Sequence, residues 1–295
     1  MGFDTAYEAI SEETDTGHRW AFGTGFTDPL AGVDTAVPAE IDGGDLATYC
    51  LMLGDDALIM SHRLQQWLAR APELEEDTAL ANIALDLLGQ ARLLLARAGA
   101  ADESGRTEDD YAFGRGEHEF RNVRLAEVTD ADFAGLMARL LVFSTWRLAL
   151  LTRLRSSADP VVAAVAAQGV KELTYHRDYA AQWVIRLGDG TDYSRERMRA
   201  ALAATAPLVP ELFERSAAEQ RLAAAAVAVD PADLRAEFDG VLEHVLGEAE
   251  LDWPQSPGLA GVSGPAGRDG VHTEGMRGLL AELQSVARAL PGATW

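Results

Sequence analysis

From Asp45 onward, apolar residues recur at intervals of three and four, the period of a helix with one buried face. Leu46, Cys50, Leu53, Ala57, Met60, Leu64 and Trp67 mark a first long helix, which ends before Pro72 because proline cannot continue it. Leu80, Ile83, Ala84, Leu87, Leu88, Ala91, Leu94 and Leu95 mark a second, ending near Gly99. The stretch from Ala100 to Val128 is polar and broken by glycines, with one short helix predicted near Glu117 to Asn122, and reads as a crossover. A third helix is predicted over roughly Ala131 to Ser157, with Met137, Leu140, Leu141, Leu148 and Leu151 along one face. Asp159-Pro160 then supplies a cap and a first-turn proline for a fourth, which runs to Leu187 and stops at Gly188-Asp189-Gly190.

Further helices are predicted over about Ser194 to Ala204, after Pro210, from Asp230-Pro231, and over Thr273 to Leu290. Residues Pro254 to Gly270 are rich in glycine, proline and serine and read as a loop. Two long helices, a long link and two more long helices predict an all-α, ferritin-like four-helix bundle with one long crossover and additional C-terminal helices. One domain is expected over residues 45–295. Residues 1–44 have no sustained apolar period and read as a flexible N-terminal extension.

Composition narrows the role. The 47 acidic residues against 25 basic ones give a formal charge of −22, which disfavours nucleic acid and anionic membrane as partners. Lys171 is the single lysine beside 24 arginines, a bias for which genomic base composition is the expected cause. Cys50 is alone and cannot form an internal disulfide, as expected in a reducing cytoplasm. The first residues lack the basic-then-apolar run of a signal peptide. The apolar run Leu136 to Leu154 is interrupted by Arg139, Arg147 and Arg153, so no membrane span is expected there. A soluble, cytoplasmic protein is the expectation.

Ferritin-like di-iron sites take a Glu from each of two helices and a Glu-x-x-His pair from each of the other two. In the fourth helix Glu172 and His176 are spaced i,i+4, and the position that would complete Glu-x-x-His is Leu173. The second helix has Asp86 with Gly89 where a histidine is needed, and in the third Ser144 stands where a carboxylate is needed. In the first helix Asp55 and Asp56 both have the right depth, and the pattern does not choose between them. The expected arrangement is a degenerate metal site, a polar cluster of Asp86, Lys171, Glu172 and His176, in which the Lys171 ammonium replaces a metal's charge. The alternative is an unorthodox metal site. No catalytic, cofactor-binding or metal-ligating residue is assigned. His62 and His272 are expected as capping or surface residues, and His118 lies in the glycine-broken link. Ser61-His62 lacks a third member for nucleophilic catalysis.

Several segments resemble the C-subunit family of bacterial phenylacetyl-CoA epoxidase. They are Leu53-Gly54-Asp55, Ala71-Pro72-Glu73-Leu74-Glu75, Leu80 through Arg92, Lys171-Glu172 through Tyr175-His176, Arg186 through Asp192, Gly270 through Glu274, and Leu290-Pro291-Gly292 with Trp295. The resemblance runs from about residue 45 to the C-terminus. It implies a ferritin-like structural subunit that pairs with a homologous catalytic A subunit, which holds the di-iron centre. It further implies an assembly that uses O2, and electrons from a separate reductase, to epoxidise the ring of phenylacetyl-CoA in aerobic phenylacetate catabolism. No cofactor is then expected in this chain. Ser144 falls where a related chain can carry an acid. The rival expectations are an active di-iron monooxygenase or ferroxidase, and a stand-alone scaffold.

Overall fold

Short acidic and hydroxyl side chains open most of the long helices by accepting amide hydrogens that the first turn leaves unpaired. Asp42 caps α1 (Gly43–Gln65), Asp132 caps α5 (Phe133–Leu154), Asp159 caps α6 (Pro160–Gly188) and Thr191 caps α7 (Asp192–Thr205). Between α1 and α5 lie α2 (Leu74–Ala101), α3 (Glu108–Phe113) and α4 (Arg124–Glu127). After α7 come α8 (Ala217–Ala224), α9 (Arg235–Glu248), α10 (Glu274–Leu283) and α11 (Ser285–Ala289). The structure, a computed structural model, describes residues 28–254, 266–291 and 293.

α1 packs on α2, α5 packs on α6, and the two hairpins meet mainly where α2 crosses α6. The outer side of α1 is covered by α4, α8 and α10, and that of α5 by α7 and α9. This is the ferritin-like bundle with one crossover and added C-terminal helices, and no strand occurs among the described residues. By length and composition α2 and α5 are both apolar enough to cross a membrane, but α5 is almost wholly buried within the protein, which accounts for its apolarity. α2 is only half buried, and with α6 it keeps an open face on which Leu74, Leu85 and Tyr175 are exposed.

Several boundaries differ from the sequence expectation. The single C-terminal helix is two, α10 and α11, because Gln284 leaves the helical path. Its buried amide donates to the carbonyls of Ala112 and Arg115, both at 3.0 Å. Helix α8 was not expected, and the helix after Pro210 is a single 3-10 turn, Pro210–Phe213.

The chain divides after Gly32 into two units. The expected flexible extension lies outside the described residues up to residue 27, as do residues 255–265 of the expected loop, and Gly292 and Trp295. Residues 33–42 belong to the helical unit. There the carbonyls of Thr35 and Ala36 accept from the Arg97 guanidinium, which also pairs with the buried Asp159.

The crossover, read from the sequence as polar and broken by glycines, sends charged groups into the interior. Arg115 pairs with Asp55, and Asp55 Oδ2 also accepts from the Arg121 amide at 2.8 Å. Val123 donates to Asp56 Oδ1 at 2.8 Å, and Arg124 pairs with Glu211 at 2.8 Å. Charged groups enter the interior here because each finds an opposite charge and further hydrogen bonds.

Candidate functional site

The i,i+4 spacing of Glu172 and His176 on α6 and of Asp86 and Gln90 on α2 brings four polar side chains together where the two hairpins meet. His176 is fully buried, and its Nε2 lies 2.9 Å from Oδ2 of Asp86, whose side chain is 36% exposed. Glu172 accepts from Gln90 Nε2 at 2.8 Å and from Gln168 Nε2 at 2.9 Å. Burial raises the Glu172 pKa, opposed by these two hydrogen bonds.

Gly169 leaves room on α6 for the side chains of Leu151 and Gln90. A Cβ there would lie 2.5 Å from Leu151 Cδ1 and 3.2 Å from the amide carbon and nitrogen of Gln90. The absence of a side chain makes the pocket in which Gln90 turns towards Glu172.

Arg147 of α5 supplies the buried cation. Its Nε donates to Gln90 Oε1 and its Nη2 to the Leu53 carbonyl of α1, both at 3.1 Å. Burial brings this guanidinium down to about 10, against the pull of the Asp56 carboxylate, so it is charged at neutral pH. Ser144, one turn earlier on α5, is fully buried. Among the described residues Ser144 Oγ, His176 Nδ1 and Arg147 Nη1 have no hydrogen-bond partner.

These side chains do not fit a pair of metal ions. Such a site needs four carboxylates and two imidazoles, whereas the cluster offers Asp86, Glu172 and His176 beside an amide and a fixed guanidinium. Position 173 is a buried leucine, and position 89 is a glycine with open space where its Cβ would be. Three potential ligands do come within 4.8 Å of one another at Glu73, Glu75 and Glu76, at the head of α2. Acidic groups there are explained by the positive end of the helix dipole.

The structure corrects several expectations. Lys171 is exposed and outside the cluster, because it sits about 100° around the helix from Glu172, and Arg147 holds the interior position assigned to it. Neither Asp55 nor Asp56 stands free as a metal ligand. Asp55 is held by Arg115, and Asp56 by Arg268, whose Nη1 and Nη2 lie 3.0 and 2.8 Å from its two oxygens. His272 is not a surface residue but a buried partner of Glu127, and the side chain of His62 is only 16% exposed, 3.9 Å from Glu282. His118 is exposed. Ser61 Oγ donates to the Ala84 carbonyl at 2.6 Å, a helix-to-helix tie with no nucleophilic arrangement. The functional side chains that sequence reasoning missed are Gln90 and the buried arginines. The one signal for them was the excess of arginine over lysine, since the planar guanidinium suits buried, multiply bonded pairs.

Comparison with known proteins adds two findings. A family model described as "Phenylacetic acid catabolic protein" matches residues 33–295, so the match begins about twelve residues before the resemblance read from the sequence. The chain is also similar to the C subunit of the 1,2-phenylacetyl-CoA epoxidase of Escherichia coli (strain K12). The two are 41% identical over 250 residues, which cover 85% of this chain and 99% of that protein.

Proposed function

Because the chain belongs to the phenylacetic acid catabolic protein family, we propose that it is a non-catalytic structural subunit of a multicomponent di-iron oxygenase acting on the aromatic ring of phenylacetyl-CoA. In this reading a homologous catalytic subunit holds the metal pair, and a separate reductase supplies it with electrons. The similarity to the C subunit of an epoxidase, over nearly that protein's whole length, supports the substrate class and the place in an assembly.

The observation that carries the non-catalytic part is the centre of the bundle. Gly89, Ser144 and Leu173 stand where ligands are needed, and Arg147 brings a permanent positive charge among the remaining acids. The guanidinium bonds Gln90 and the Leu53 carbonyl rather than an acid, but its charge acts on Glu172 and Asp56 and would repel divalent cations brought to the same centre. The open face of α2 and α6 supports the partner. Leu85 and Tyr175, each adjacent in sequence to a member of the Asp86–His176 pair, are 42% and 50% exposed and offer apolar surface to a second bundle. The buried free thiol of Cys50 accords with a reducing cytoplasm.

Co-expression with a homologous di-iron oxygenase subunit and its reductase, followed by size-exclusion chromatography and a phenylacetyl-CoA epoxidation assay, tests the reading. The expected result is a stable heteromer whose turnover requires this chain. A partner that is fully active alone, with no complex at micromolar concentration, overturns it.

A further inference from the structure

One cation reaches all four helices of the bundle. From α5, Arg147 donates to the Leu53 carbonyl of α1 and to Gln90 of α2, and Gln90 passes the contact on to Glu172 of α6. The Gln90 amide suits this relay because it accepts at one end and donates at the other, facing a cation and a carboxylate respectively. Gly169 of α6 keeps the space that the relay occupies. The guanidinium is completely buried, a position tolerated only when acids answer its charge. Asp56 and Glu172 both lie within its electrostatic reach.

In a ferritin-like di-iron protein a metal pair does two jobs from the bundle centre. It gathers side chains from four helices, and it neutralises the carboxylates that point inward. We propose that Arg147 does both jobs here, as a built-in replacement for the metal that makes the bundle's stability independent of divalent cations. The chain Leu53–Arg147–Gln90–Glu172 is the covalently supplied counterpart of a bridging centre. It cannot be lost to a chelator and cannot take part in redox chemistry. The inference rests on the non-catalytic reading and gives it a physical mechanism. The subunit keeps the bundle shape needed to meet a partner whatever the supply of iron.

Removing the charge while keeping the bulk recreates the demand for an external cation. The test is thermal unfolding of the full chain, treated with chelator and then measured with and without Mn2+ or Co2+. Wild type is expected to melt at one temperature under all these conditions. Arg147→Met is expected to melt at least ~5 °C lower, and to recover at least about half of that loss when Mn2+ or Co2+ engages Glu172, Asp86 and His176. Arg147→Lys, which keeps the charge, is expected to stay above the Met variant and to ignore both ions.

Three results overturn the proposal: wild type stabilised by either ion, Arg147→Met melting like wild type, or a loss in Arg147→Met that neither ion restores. If Arg147→Met does not fold, Arg147→Lys decides: a folded, ion-indifferent protein supports the role of charge, and an unfolded one overturns it. Assembly with a partner is read separately by co-elution. Failed rescue with intact co-elution removes the replacement role and leaves the subunit reading standing.

Discussion

His272 Nδ1 lies 2.7 Å from Glu127 Oε2, with both side chains fully enclosed, although 145 residues separate them. The other ring nitrogen, Nε2, lies 3.2 Å from the Phe120 carbonyl, which can only accept. With an acid on one nitrogen and a carbonyl on the other, the surroundings of the ring favour its doubly protonated form. Glu127 also accepts from Asn122 Nδ2 at 2.9 Å and from the Thr273 amide, so it joins the crossover to the head of α10.

Burial on its own would lower the His272 pKa, but the hydrogen bond and charge of Glu127, with the Phe120 carbonyl, outweigh it and raise the value. A raised folded pKa makes the pair's stabilisation complete below the unfolded value of about 6.5, and it is lost as pH rises through the folded value. Melting temperature is expected to fall over that window in wild type and to fall less in His272→Gln. His272→Ala, measured by urea unfolding at about pH 6, is expected to cost about 3–5 kcal/mol because Glu127 is left buried without its cation. Identical pH profiles for wild type and His272→Gln would show that the pair does not titrate as described.

Two helical glycines should respond in opposite ways to alanine. At Gly169 the new methyl meets Leu151 and Gln90, so Gly169→Ala is expected to destabilise by about 1–3 kcal/mol through overpacking. At Gly89 nothing lies within 4 Å of the added carbon, so Gly89→Ala is expected to stabilise the isolated chain by about 0.5–1 kcal/mol. Urea unfolding of both variants checks the pair of signs, and a destabilised Gly89→Ala chain would mean that the open space is filled.

Arg268 fastens the C-terminal segment to the bundle. Besides Asp56 it donates to the carbonyls of Met52 at 2.9 Å and Arg121 at 2.7 Å. Arg268→Ala leaves Asp56 fully buried without its bonded cation, at an expected cost of about 3–5 kcal/mol. Limited proteolysis is expected to remove the segment carrying α10 and α11 faster than in wild type. Equal cleavage rates would show that the remaining contacts, including that of Gln284, hold the segment alone.

The donor set of the bundle centre predicts the metal content directly. After aerobic expression with added iron, elemental analysis of the purified chain is expected to find no stoichiometric iron. About two irons per chain would favour an active di-iron enzyme instead.

The local pattern of the chain was enough to place the four long helices, their order, the crossover between α2 and α5, and the Asp159-Pro160 start and Gly188 stop of α6. Each of these depends on residues within a few turns of one another, and the helical period records which way those residues face. It also placed Glu172, His176 and Asp86 in one cluster, since their side chains stand on the faces that α6 and α2 turn towards each other. Only the tertiary structure decided which charges lie inside. Asp55 meets Arg115 across 60 residues and Asp56 meets Arg268 across 212, and no spacing along one helix encodes such partners. Lys171 and Arg147 made the same point in opposite directions. The lysine adjoined the cluster in sequence and faces solvent, while the arginine looked like an interruption in an apolar run and is its buried cation. Burial of a charge is set by the groups that other helices bring to it, and for Arg147 those are the Leu53 carbonyl and Gln90.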